Sequence, residues 1–235
     1  MQPVTRGCRS GYHEAMNRRI PVLLAATIAV GCGRDAATSP SGLATAGLWV
    51  VNATRAPLDV SVDGVSYAKG LGVANVLRVA TRQGTHAVHL AGTGEHTSDL
   101  AVSVDSGAAV TTIVRAGDEG ELIPGTLPDT GAAPVDGRTK LRVVHLAEGA
   151  PDINVWRIQP DYSTAVRVMF PFPYGAQSSY IQSTPGAWTV WVTPTANDST
   201  MLASSGPILM TGGQVGTVVL LDSAGVLRLR AIVEH

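Results

Sequence analysis

The feature that most constrains this 235-residue chain is that its body is written twice. The segment "LWVVNATRAPLDVSV" (48–62) matches "LRVVHLAEGAPDINVW" (141–156). Further on, "QGTHAVHLAG" (83–92) matches "PGAWTVWVTP" (185–194), and "VTTIVRAGDEGEL" (110–122) matches "VGTVVLLDSAGVL" (215–227). The blocks keep their order, and the spacing between copies grows from 93 to 102 to 105 residues as loops lengthen. Collinear matches of this kind predict two homologous units, 47–122 and 140–235, each of ordinary small-domain size. The segment 123–139 ("IPGTLPDTGAAPVDGRT") is rich in Pro, Gly and Asp and reads as a mobile linker.

Within each unit the dominant period is two. Leu58, Val60 and Val62 alternate with Asp59, Ser61 and Asp63, and Leu100, Val102 and Val104 with Ala101, Ser103 and Asp105. Near the end, Leu227, Leu229, Ala231 and Val233 alternate with Arg228, Arg230, Ile232 and Glu234. Such alternation predicts strands with one buried and one wet face. Asp63-Gly64, Asp105-Ser106-Gly107, Asn197-Asp198 and Asp222-Ser223-Ala224-Gly225 supply the reversals. The expected fold is all-β: two tandem antiparallel β-sandwiches following an N-terminal signal helix.

The first 31 residues read as an address. From Met16, a likelier start of translation than Met1, Arg18 and Arg19 precede an uncharged apolar run from Ile20 to Val30. Eleven residues are too few to span a bilayer and suit a signal-peptide core. The run closes on Ala29-Val30-Gly31-Cys32, which resembles the bacterial lipobox; the resemblance implies that Cys32 is lipidated and becomes the mature N-terminus. Residues 32–46 are small and polar and read as a flexible tether. Membrane attachment through the lipid follows as the expected partner, at the envelope surface. Gly33, where a retention signal would place Asp, favours the outer membrane if one is present.

"LRVVHLAEGAPDINVW", "YGAQSSYIQSTPGAWTVWVTP" and "GPILMTGGQVGTVVLLDSAGVLRL" together resemble the bacterial family of domains of unknown function 4397. The resemblance covers most of 140–230. The first unit departs from the pattern, with Asn52 in place of His145, and joins it through the repeat. It implies an Ig-like sandwich outside the cytoplasm.

Chemistry is sparse. A formal net charge of −1 and only two lysines, Lys69 and Lys140, leave no footprint for nucleic acid. No G-x-S-x-G, H-E-x-x-H or Walker loop occurs, and the turn aspartates stand singly, so no enzyme, cofactor or metal site is expected. His86 and His89 are three apart on a strand and face opposite ways. His145 reads as a structural histidine. Eight of the eleven aromatic residues lie between Trp156 and Trp191, which asks for a use beyond one core. Phe170, Phe172, Tyr174 and Tyr180 surround "MFPFPYG", whose two prolines exclude a central strand. Such rings either pack a sandwich end or contact a glycan or envelope protein, and any ligand surface is expected there. The functional expectation is a non-enzymatic envelope lipoprotein presenting two modules for binding or spacing. The alternative is an enzyme or transport-associated binding protein with a site between the repeats.

Overall fold

A computed structural model describes residues 46–128, 133–160 and 164–234. The signal segment, Cys32 and the tether up to residue 45 lie outside the described residues. Among the described residues the alternating segments form sixteen strands in four sheets of four. In the first unit, β1 (Ala46–Ala53), β4 (Val76–Thr81), β7 (Ala109–Ala116) and β8 (Leu122–Pro128) make one sheet in the order β4-β1-β7-β8. Against it lies β3-β2-β5-β6, built from β2 (Leu58–Val62), β3 (Val65–Leu71), β5 (Gly84–Ala91) and β6 (Thr97–Val104).

The second unit repeats this topology strand for strand. One sheet has the order β12-β9-β15-β16, from β9 (Thr139–His145), β12 (Ile181–Ser183), β15 (Val215–Ser223) and β16 (Val226–Glu234). The other is β11-β10-β13-β14, from β10 (Ile153–Ile158), β11 (Val166–Phe172), β13 (Gly186–Pro194) and β14 (Ala203–Met210). Each strand number rises by eight, and neighbour relations are preserved. One detail departs from a purely antiparallel reading: β1 runs parallel to β7, and β9 parallel to β15. The parallel pairs arise because the chain reaches the strand beside its first one by crossing from the opposite sheet.

Each sandwich encloses its own core. Leu48, Val50, Leu58, Val60, Val88, Leu90, Val102 and Val114 fill the first. Leu141, Val143, Ile153, Val155, Phe172, Trp188, Val190 and Leu220 fill the second. The period-two residues Leu58, Val60 and Val62 are buried as expected. Asp63 (φ 50°) and Gly64 (φ 77°) join β2 to β3 with both central residues left-handed, the conformation that matches the twist of a two-residue hairpin.

Two sequence expectations change. The segment 123–139 is not wholly a linker: Leu122–Pro128 is β8, fully paired with β7 from Val110 to Ala116. Its prolines are tolerated because β8 is an edge strand. The face of β16 expected to be wet is also only partly so, exposed at Arg228 but buried at Ile232 and Glu234. Ile232 is fully buried and belongs to a third apolar cluster with Val51, Ala74 and Ile113 of the first unit and Val144, Leu146, Val219 and Leu221 of the second. The sheets carrying β1 and β9 are thus inner sheets, docked on each other through their outward faces. Arg230 clamps the contact: its Nε donates to the Ala74 carbonyl at 3.0 Å and its Nη2 to Asn75 Oδ1 at 3.4 Å. The other two sheets are outer sheets.

Candidate functional site

The expected aromatic surface separates into unlike parts. Phe172 is fully buried in the second core and is removed from any contact surface; its place at the end of β11 turns the ring inward beneath the sheet. Phe170 lies on β11, and its side chain is outside what the structure describes. Tyr174 sits on the turn after β11 and is 40% exposed, with its ring edge-on to His145 at 6.2 Å. Tyr180 is half-buried beneath two cations, with Lys140 Nζ 4.4 Å and the Arg142 guanidinium carbon 4.8 Å from its ring centre. The four residues therefore do not form one face.

His145, read from the sequence as a structural histidine, closes β9. It is fully buried between Phe172 and Tyr174, and its Nδ1 accepts the Ala147 N–H at 3.3 Å. Burial pushes its pKa down, partly offset by the Pro151 carbonyl and the Asp152 charge, so the ring is held neutral. Its counterpart Asn52 is equally buried and satisfies every polar atom locally: Nδ2 donates to the carbonyls of Ala56 and Leu71, and Oδ1 accepts from Thr54. Both lie at the end of the first strand of a unit, Asn52 one residue before the last of β1 and His145 the last of β9, next to the loop that follows.

His86 and His89 lie on opposite faces of β5, each with its own carboxylate. His86 Nδ1 is 2.7 Å from Asp63 Oδ2 and its Nε2 is 2.9 Å from the Arg82 carbonyl. Both ring nitrogens face acceptors, so the protonated ring is favoured: the bond to Asp63 first, then that to Arg82, raises its pKa. His89 Nδ1 meets Asp99 Oδ1 at 2.8 Å on the exposed face.

Two concavities border the contact between the sandwiches. One of about 430 Å³ lies among Arg55, His96, Asp118, Leu122 and Glu148, and one of about 400 Å³ among Arg55, Leu146, Glu148 and Asp222. The Arg55–Glu148 ion pair, at 3.4 Å, divides them and joins the two units. Its side chains are 79% and 45% exposed, so it operates in solvent-like dielectric and is a weak tie.

The site that sequence reading missed is on the outer sheet of the second unit. There Trp156 of β10 and Trp191 of β13 are direct cross-strand neighbours. Their rings stack at 6.2 Å between centres and 6° between planes, and the Arg167 guanidinium lies 5.7 Å from the other side of Trp156. A polar network fixes this ladder. Trp156 Nε1 donates to Thr193 Oγ1 at 3.1 Å, Asn154 Nδ2 to Asp198 Oδ1 at 2.5 Å, and Arg167 Nη1 to Asp198 Oδ2 at 3.1 Å. Both indoles are half-buried. The signal was present in the sequence: Trp156 follows Ile153 and Val155 out of core phase, and Trp191 falls between the core residues Val190 and Val192. Period two places such residues outside.

Residues 46–156 match the family model of a domain of unknown function, DUF4397. The match runs from the start of β1 into β10, so it falls mainly on the first sandwich, the unit expected from sequence to carry the weaker resemblance. No curated protein matches the chain. Among solved structures, the Bacillus anthracis TIE protein is similar over 77% of this chain, with 9% identity and a TM-score of 0.25. The chain spans 34% of the length of that protein.

Proposed function

We propose that the chain is an exported lipoprotein, anchored at Cys32 on the cell envelope, that works without catalysis as a binding module. In this reading both sandwiches are DUF4397 domains, the second supported by its identical strand order. Arg18-Arg19, the apolar run to Val30 and the Gly31-Cys32 step support the anchor. The observation that carries the binding role is the Arg167–Trp156–Trp191 ladder, a stacked, half-buried aromatic row on the outer sheet of the second unit. The docked inner sheets turn this face away from the partner sandwich and hold it on a stiff support.

Two experiments test the two halves. Cys32→Ser is expected to release processed protein from the membrane fraction; processed variant remaining in the pellet overturns the anchor. Wild-type protein incubated with envelope extracts, against a Trp156→Ser/Trp191→His double variant, tests binding; identical captured material from both overturns the aromatic face as the working surface.

A second reading, a small-molecule site at the contact between sandwiches, has the two concavities in its favour, both within the volume range of ligand pockets. Against it, the pair of charges they share is open to solvent. Arg55→Ala separates the readings, since it alters binding only if the ligand sits there.

A further inference from the structure

The duplicated fold supplies its own control for the tryptophan ladder. In the second unit one row of cross-strand neighbours runs Arg167, Trp156, Trp191, Ser204. The same row in the first unit reads Ser66, Ser61, His89, Asp99. Strand order around the two rows is the same, apart from a register shift between Thr189 and Trp191 in the second unit, yet the first unit has two serines and a histidine there, and a shallow hollow of about 300 Å³ over Ser61, Ser66 and His89. The indoles are therefore not something the sandwich requires. In the first unit Asp99 holds the histidine. In the second, the position beyond Trp191 is Ser204, small and exposed, so no large side chain of that row stacks on the ring's far side.

The geometry points to a neutral glycan as the ligand of this row, stacked on Trp191 beside Ser204. The inference rests on the binding role proposed above and names its ligand class. Trp156 has both its ring faces and its N–H engaged, by Arg167, Trp191 and Thr193. Trp191 has a ring stacked on one side and the small Ser204 opposite on the other, and its Nε1 makes no hydrogen bond among the described residues. It thus offers a flat π-face and a free donor side by side. The C–H face of a pyranose is polarised positive and packs on the negative face of an indole, while its ring hydroxyls accept from an N–H at the edge. Charge argues in the same direction. Among the described residues, Arg167 and Asp198 pair at 3.1 Å beside the row, so their charges offset each other there. Hydroxyls of Thr189 and Ser204 border Trp191, with the exposed Pro207 opposite Thr189. The network that locks Trp156 and Arg167 lowers the entropy lost on binding.

The test uses the full chain with insoluble cellulose, chitin and mannan as probes, and intrinsic tryptophan fluorescence with the matching soluble oligosaccharides. Retention on at least one polysaccharide is expected, with an indole fluorescence shift and elution by the soluble form. Trp191→His installs the residue that the first unit carries at this point, so the fold accommodates it. It is expected to weaken retention by about tenfold or more with an unchanged melting temperature. Trp191→Phe, which keeps a flat ring and loses the donor, is expected to fall between. Retention of wild type on none of the three, or retention indifferent to Trp191→His, overturns the glycan. If no polysaccharide is retained while an envelope component still binds in a Trp191-dependent way, the ligand class fails and the binding module stands.

Discussion

Asp63 and His86 show how one pair of side chains ties a turn to a strand. Asp63 occupies a left-handed position in the β2–β3 turn, its Oδ1 accepts the Ala87 N–H at 2.9 Å, and its Oδ2 meets His86. The pairing lowers the carboxyl pKa from its ordinary 3.8 and raises that of the imidazole from its ordinary 6.5. A raised histidine pKa gives stability that is complete below 6.5 and is lost as pH rises through the folded value; a lowered aspartate pKa gives stability complete above 3.8 and lost as pH falls through its folded value. The pair is strongest between the two. Asp63→Asn keeps the turn conformation, which asparagine tolerates, and removes the charge. The melting-temperature gap between wild type and this variant is expected to be widest near pH 5 to 6 and to narrow in alkali; parallel melting curves across pH overturn the pairing. At Phe172, truncation to Ala is expected to cost about 3–5 kcal/mol of stability, because a ring is removed from a closed core. Tyr174→Ala, at a 40% exposed position, is expected to cost much less, which chemical denaturation of the two variants measures side by side.

At the scale of strands and turns, legibility followed exposure. Strands with one wet face announced themselves: Leu58, Val60 and Val62 alternate with polar residues and are all buried. The hairpin residues Asp63-Gly64 and Ala224-Gly225 also marked their turns correctly. Strands with two buried faces were legible only in part. β9 and most of β15 are buried at every position, and their runs "LRVVH" and "VGTVVLL" lack alternation because one face meets the core and the other the partner sandwich. Read for itself, that continuity predicts a docked inner sheet. β16 misled for the opposite reason, since Arg230 and Glu234 flank Ile232 and gave a buried face a polar pattern. β8 was hidden by its prolines, which an edge strand admits. In the candidate site, phase placed Trp156 and Trp191 outside, but their stacking depends on a register that sequence does not fix. The β15–β16 turn offers a test at this scale. Ala224 is held at φ 54°, where a Cβ is strained, so Ala224→Gly is expected to stabilise by up to about 1 kcal/mol, read from the denaturation midpoint. A loss of stability would mean that the turn gains nothing from left-handed freedom.

For the whole molecule, the docked inner sheets decide whether two domains behave as two or as one. Two sandwiches on a free linker unfold independently, and a substitution in one leaves the other unchanged. Here Ile232 of β16 is fully buried in a cluster that draws Val51, Ala74 and Ile113 from the first unit. Arg230 reaches from the same strand to the 74–75 loop, where Ala74 is itself fully buried with φ 57°. Folding of each unit thus covers apolar surface of the other, and each stabilises its neighbour by mass action at the very high local concentration that a covalent tie provides. Placing a carboxylate at this contact leaves an unpaired charge to be desolvated, which undocks the sheets before it unfolds either core. Ile232→Asp is therefore expected to split one thermal transition into two and to lower hydrogen-exchange protection in β1 and β7, strands of a sandwich to which residue 232 does not belong. A polar substitution at Val226, 56% exposed at the far end of the same strand, is the control and is expected to leave β1 and β7 unchanged. If Ile232→Asp weakens only β15 and β16, the sandwiches are energetically separate, and the aromatic face of the second is carried by that sandwich alone.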